Sequence, residues 1–164
     1  MASIAKIVSF QRTIKPTMKE FKTILYADDD NDDLIFFSEA IRGIGREATL
    51  FDQAGKMLYA MHNSPPEPYI VFIDLNMPGL DGYDVLKEIR TTPQFNHVPI
   101  VILSTASEQN IINRCRELGA NYYVTKSSAL NGLQDSLEHV LNIDWNNFHP
   151  KGNDFAYRHK SGMI

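Results

Sequence analysis

The chain has 164 residues, 43% of them hydrophobic and 22% charged, with a net charge of −4. At roughly 150 residues per domain this is about one domain with a real core, which excludes a disordered polymer and a fibrous repeat. The single cysteine, Cys115, excludes an internal disulfide and fits a reducing cytoplasm. No apolar run approaches the ~20 residues that a membrane helix needs.

The charge is unevenly laid out. Lys6, Arg12, Lys15 and Lys19 face only Glu20 in residues 1–21, and Lys151, Arg158 and Lys160 face only Asp154 in residues 145–164. The centre is therefore strongly acidic, which argues against direct nucleic-acid binding by the main body, since that needs a basic stripe to displace counterions.

Along the chain, short apolar runs alternate with amphipathic stretches. Residues 23–27 form an apolar run stopped by Asp28-Asp29-Asp30, the profile of a buried strand. Leu34, Ile35, Phe37, Ile41 and Ile44 then recur at helical spacing and are stopped by Gly43 and Gly45. Residues 49–51 predict a weak second strand, and a helix follows over about 53–62. Ser64-Pro65-Pro66-Glu67-Pro68 reads as a loop. Residues 69–73 are the most hydrophobic strand and end at Asp74. After Met77-Pro78-Gly79-Leu80-Asp81-Gly82 comes a helix carrying Tyr83, Val85, Leu86 and Ile89. Residues 98–103 predict a fourth strand, its helix carrying Ile111, Ile112, Cys115 and Leu118. Residues 122–125 predict a fifth, followed by a helix with Leu130, Leu133, Leu137, Val140 and Leu141. Five such alternations imply an α/β fold: a doubly wound five-stranded parallel sheet covered by helices on both faces.

In such sheets ligands sit beyond the carboxyl ends of the strands. Those ends carry Asp28, Asp29 and Asp30, then Asp74, then Ser104 and Thr105, then Lys126. Several carboxylates on one rim repel one another unless a hard cation sits among them, and oxygen-only ligands suit Mg²⁺. A lysine and a hydroxyl opposite suit a phosphate bound to that metal. The chemistry this predicts is phosphoryl transfer to or from a carboxylate. Helix capping accounts for Asp30, Asp32 and Ser107 at the helix starts; it does not account for Asp74 before a Pro-Gly turn, or for Lys126.

Tyr26-Ala27-Asp28-Asp29-Asp30, Ile73-Asp74-Leu75-Asn76-Met77-Pro78-Gly79-Leu80-Asp81-Gly82, Pro99-Ile100-Val101-Ile102-Leu103-Ser104-Thr105-Ala106 and Tyr123-Val124-Thr125-Lys126, in that order, resemble a response-regulator receiver domain. The resemblance covers about residues 22–141. It implies a flavodoxin-like sheet of order 2-1-3-4-5 and a stand-alone receiver in a two-component or phosphorelay system. The organisation expected is an N-terminal extension over 1–21, a receiver over 22–143 and an aromatic tail over 144–164.

By that resemblance, Asp74 is the phosphoacceptor, taking a phosphoryl group from the phosphohistidine of a sensor histidine kinase or a histidine phosphotransferase. Asp28, Asp29, Asp74 and the backbone carbonyl of Asn76 hold Mg²⁺. Lys126 pairs with a phosphoryl oxygen. The Ser104 hydroxyl is the switch group, and Tyr123 is the aromatic that turns inward as that hydroxyl moves. A domain of this kind catalyses its own phosphorylation and dephosphorylation and speaks to a downstream protein by contact, from the cytoplasm. Two positions depart from the pattern. Ser127 follows Lys126 where the family has proline and a cis peptide; without proline a cis bond costs about 2.5–4 kcal/mol. Thr105 stands where a small residue is usual, and its bulk narrows the approach of phosphate.

Rival readings fit less well. A calcium loop from Asp28 needs glycine at its sixth position, where Asp33 stands. A haloacid-dehalogenase-like phosphatase wants a second acid two residues after the nucleophile, where Asn76 stands. A receiver reduced to a phosphorylation-independent binding module is the remaining alternative, and the full set of reactive groups argues against it. No glycine-rich nucleotide loop is present, so direct ATP binding is not expected. Cys115 reads as core. The histidines at 62, 97, 139, 149 and 159 lack metal-ligand spacing and read as surface or loop residues. Trp145, Phe148, Phe155 and Tyr157 make the tail too aromatic for a free linker, so Trp145 and Phe148 are expected to pack on the domain or on a partner.

Overall fold

The structure, a computed structural model, describes residues 23–63 and 68–160. The N-terminal extension over 1–21 and most of the proline-rich loop lie outside the described residues. The elements run β1 (Ile24–Ala27), α1 (Asn31–Gly43), β2 (Thr49–Phe51), α2 (Ala54–Asn63), β3 (Ile70–Ile73), α3 (Gly82–Thr91), β4 (Ile100–Ser104), α4 (Gln109–Glu117), β5 (Tyr122–Thr125), α5 (Leu130–Leu141) and β6 (Ala156–Arg158).

The strands pair in parallel in the order β2-β1-β3-β4-β5-β6. β1, β3 and β4 are buried at every residue because helices cover both faces. Their side chains still alternate. Leu25, Ala27, Val71, Ile73, Ile100 and Ile102 join the core beneath α2, α3 and α4, whereas Ile24, Tyr26, Ile70, Phe72, Val101 and Leu103 join the core beneath α1 and α5.

Local chemistry sets where the helices begin. The Asp30 carboxylate accepts the Asp32 N–H at 2.8 Å and caps α1, and Asp81 caps α3 by accepting from Asp84 at 2.9 Å. Asp32 lies in the first turn of α1, where its charge suits the helix N-terminus. Ser107 does not cap α4: Glu108 holds that position without a side-chain bond to the helix, and its carboxylate turns back to the Ser107 N–H.

The expected five strands lie in the expected order, and the sheet has a sixth. Residues after α5, read from sequence only as an aromatic tail, lay β6 along β5, with Ala156 opposite Tyr123 and Arg158 opposite Thr125. Phe155 is buried in the core under α4, while Trp145, Phe148 and Tyr157 pack against the α1–α5 side. Three residues are too few for strand alternation to be visible in the sequence.

Candidate functional site

Loops at the carboxyl ends of β1, β3, β4 and β5 bring the predicted residues together. Asp28 is 1% exposed and Asp74 is 6% exposed, while Asp29 faces solvent. One carboxylate oxygen from each of the three lies within 4.8 Å of the others. Three hard oxygen donors crowded at the lip of a low-dielectric core are a fit for a divalent cation, which relieves their mutual repulsion.

Lys126 crosses from the end of β5 into this cluster. Its ammonium lies 2.6 Å from Asp28 Oδ2, 2.7 Å from Asp33 Oδ2 and 3.0 Å from Asp74 Oδ1. Burial alone would lower its pKa, but the bonds to Asp28 and Asp33 and the charges of Asp74 and Asp28 outweigh burial and hold it above the usual lysine value. The Lys126 N–H donates to the Ser104 carbonyl at 2.8 Å, which continues the β4–β5 ladder to the lysine. Ser127 does not turn Lys126 away: its hydroxyl accepts the Ala129 N–H at 3.2 Å and starts the turn into α5. Thr105 lies at the mouth of a cavity of about 370 Å³ between α1 and this loop, lined also by Tyr26, Phe36, Asp33 and Lys126.

Asp74 occupies the centre of the site. One carboxylate oxygen faces Lys126 and the other accepts the Asn76 N–H at 2.9 Å. Burial raises its pKa above the ordinary carboxylate range; Lys126 pulls it down and Asp28 pushes it up again. Ser104 is fully buried, and its hydroxyl oxygen accepts the Ala106 N–H at 3.3 Å. Tyr123 is also fully buried and points inward, donating to the Ala106 carbonyl at 2.9 Å. Burial pushes its phenol up to about 12, with the nearby Ser104 hydroxyl working the other way. Ser104 and Tyr123 thus hold the N–H and the carbonyl of the same residue, Ala106.

Two residues of the site were not singled out from sequence. Asp33, seen there only as a misfit in a calcium loop, is the third residue of α1 and reaches Lys126 across the cavity mouth. Tyr26, part of the first apolar run in the sequence, stacks on Phe37 with centroids 4.2 Å apart and donates its hydroxyl to Asp28 Oδ2. The signal for Tyr26 was its place two residues before Asp28, on the same face of the strand.

Residues 24–138 match the response regulator receiver domain family. The chain belongs to that family. It is 36% identical over 72 residues to response regulator Rcp1 of Synechocystis sp., a match covering 44% of this chain and 49% of Rcp1. It is 31% identical over 134 residues to two-component response regulator ARR6 of Arabidopsis thaliana, covering 74% of this chain and 72% of that protein. Among solved structures, the phosphorylated cyanobacterial phytochrome response regulator RcpA superposes with a TM-score of 0.67 at 25% identity, covering 79% of this chain and 96% of that one. The Mn²⁺-bound form of Rcp1 gives a TM-score of 0.66 at 24% identity, over 80% of this chain and 99% of that one. As a member of that family the chain is a response-regulator receiver domain, consistent with two-component signalling, and Asp28, Asp29 and Asp74 form an acidic cluster whose oxygen donors fit a divalent cation. Among the described residues no helix is long and apolar enough to cross a membrane.

Proposed function

We propose that this receiver accepts a phosphoryl group from a phosphohistidine onto Asp74 and signals by protein–protein contact. The observation that carries the reading is the Lys126 ammonium 3.0 Å from Asp74 Oδ1, beside the Asp28–Asp29 pair. A sensor histidine kinase or a histidine phosphotransferase is the donor. An Asp74 carboxylate oxygen attacks phosphorus as the phosphorus–nitrogen bond to the donor imidazole breaks; the imidazole leaves with that electron pair and takes up a proton.

Asp28, Asp29, Asp74 and the Asn76 carbonyl are the groups that would hold Mg²⁺. When bound, that ion neutralises charge on the phosphoryl oxygens. Lys126 donates to one of those oxygens, directing positive charge to where negative charge builds. Ser104 gives up its contact with Ala106 and donates to another. Tyr123, bonded to the Ala106 carbonyl, then follows the loop, which shifts the population of surfaces around α4 and β5.

Intact mass after incubation with acetyl phosphate tests this, with and without Mg²⁺ and beside Asp74→Asn. The reading expects a gain of one phosphoryl group that needs both Mg²⁺ and Asp74. No gain in the wild type would turn the reading toward a phosphorylation-independent binding module.

A further inference from the structure

The four-carbon stem of Lys126 is flexible, and its ammonium carries three N–H donors in fixed tetrahedral directions. Asp28 at 2.6 Å and Asp33 at 2.7 Å each accept a hydrogen bond from it, and Asp74 lies 3.0 Å away as an ion-pair partner. Asp28 belongs to the acid pair and Asp74 is the proposed acceptor. Asp33 belongs to neither. It projects from the first turn of α1, with its side chain 39% exposed, and meets Lys126 at 2.7 Å. Helix N-terminal charge does not require it, because Asp32 supplies a carboxylate in the same turn.

We propose that Asp33 is a positioning residue for phosphoryl transfer, anchoring the Lys126 ammonium so that it stays beside Asp74 with an N–H free to reach a phosphoryl oxygen. The inference rests on Asp74 being the phosphoacceptor. When Asp74 becomes an acyl phosphate its own oxygen loses charge and accepts poorly, and a phosphoryl oxygen takes its place. With Asp28 and Asp33 holding two of the donors, the third passes to that oxygen with little motion of the stem. Without Asp33 the ammonium has one anchor, and it samples orientations from which it must be recovered in each transfer.

The test compares wild type, Asp33→Asn and Asp32→Asn. The asparagine at 33 keeps the shape but not the charge, and Asp32→Asn removes an equal charge from the same helix turn. In the metal-free protein, the wild-type Lys126 ammonium is expected to give a resolved, slowly exchanging ¹H–¹⁵N signal. That signal is lost in Asp33→Asn and kept in Asp32→Asn. The rate of phosphorylation by acetyl phosphate falls about tenfold in Asp33→Asn, the equivalent of ~1.4 kcal/mol, and stays within twofold in Asp32→Asn. An unchanged ammonium signal and rate in Asp33→Asn would overturn the proposal, as would an equal loss in both variants, which would make this a helix-terminus effect. A wild type that takes no phosphoryl group would overturn the phosphoacceptor reading itself, and the proposal with it.

Discussion

Gly82 sits against the backbone of Asp74, so close that a Cβ there would fall 2.3 Å from the Asp74 carbonyl oxygen and 2.8 Å from Leu75 Cα. The Gly82 N–H donates to the Leu75 carbonyl at 3.0 Å, tying the start of α3 to the segment that carries Asp74. Both neighbours are backbone and cannot swing aside, so Gly82→Ala has to move the β3–α3 loop. We expect it to cost about 1–3 kcal/mol of stability and to slow phosphorylation of Asp74 more than the loss of stability explains. Denaturant unfolding and the intact-mass assay on the same sample check this; a variant as active as wild type would mean the loop relaxes without moving Asp74.

Much of this site was legible in the sequence, for a definite reason. Strands buried on both faces read as apolar runs, so the residue that ends each run lies on the functional rim, and Asp28, Asp74, Ser104 and Lys126 were found that way. Asp33 and Tyr26 were not. A tyrosine inside a buried run has the same signature as any core aromatic, and an acid in the first turn of a helix is what any helix favours. What singles them out is, for Asp33, a tertiary contact with Lys126 and, for Tyr26, a hydroxyl bond to Asp28 two residues on along the same strand face. β6 was missed because its pairing depends on where α5 leaves the chain, which no local pattern records.

The ionisation of Asp74 should be visible in stability. A carboxyl whose pKa is higher folded than unfolded holds its proton more tightly in the fold. Its stabilising contribution is present at low pH and is lost as pH rises from the unfolded value through the folded one. Burial places Asp74 in this class even with Lys126 beside it. As pH rises and Asp74 ionises, the metal-free fold therefore weakens, and Asp74→Asn is expected to raise the melting temperature at the higher pH by about 2–4 °C. The gain should shrink toward pH ~4, where an unfolded aspartate takes up its own proton. Added Mg²⁺ should raise the wild-type melting temperature and raise that of Asp74→Asn less. Melts across pH with and without Mg²⁺ decide the matter, and a gain independent of pH would reject this account.

Tyr26 gives a second stability prediction with the opposite sign. Its phenol is 1% exposed, and burial followed by the charge of Asp28 holds its pKa far above the ordinary value, so it remains a hydrogen-bond donor. Asp28 Oδ2 accepts from both Tyr26 and Lys126, while Oδ1 accepts the Asp30 N–H at 2.9 Å. Tyr26→Phe keeps the stacking on Phe37 but removes one of the donors that compensate a buried carboxylate. A loss of about 1.5–3 kcal/mol is expected from a hydrogen bond to a charged group. Added Mg²⁺ should recover part of it, since a cation supplies the missing compensation. Urea unfolding with and without Mg²⁺ measures both effects; a variant as stable as wild type would show that Asp28 is adequately solvated without the phenol.

The C-terminal segment makes the last prediction, because it reaches the lysine loop as well as the sheet edge. Phe155 is 2% exposed among core residues beneath α4, and Arg116 lies over its ring at 5.8 Å. Tyr157 stacks on His139 at 4.3 Å, and Phe148 meets the edge of Tyr122 at 5.4 Å. Beyond β6, His159 packs beside Gly132: a Cβ on that glycine would lie 2.3 Å from Ser127 Oγ and 3.0 Å from the His159 ring. Truncation at Leu141 thus uncovers β5, opens two aromatic clusters and removes a neighbour of the loop that aims Lys126. Phe155→Ala alone should cost about 3–5 kcal/mol, the usual range for a buried phenylalanine. Limited proteolysis should leave the wild-type segment intact after α5 and cut Phe155→Ala there rapidly. Because β6 is laid directly on β5, its loss should also alter the phosphorylation rate, even at temperatures where the truncated domain remains folded. Rapid trimming of the wild type with no change in stability or rate would show that the segment is dispensable.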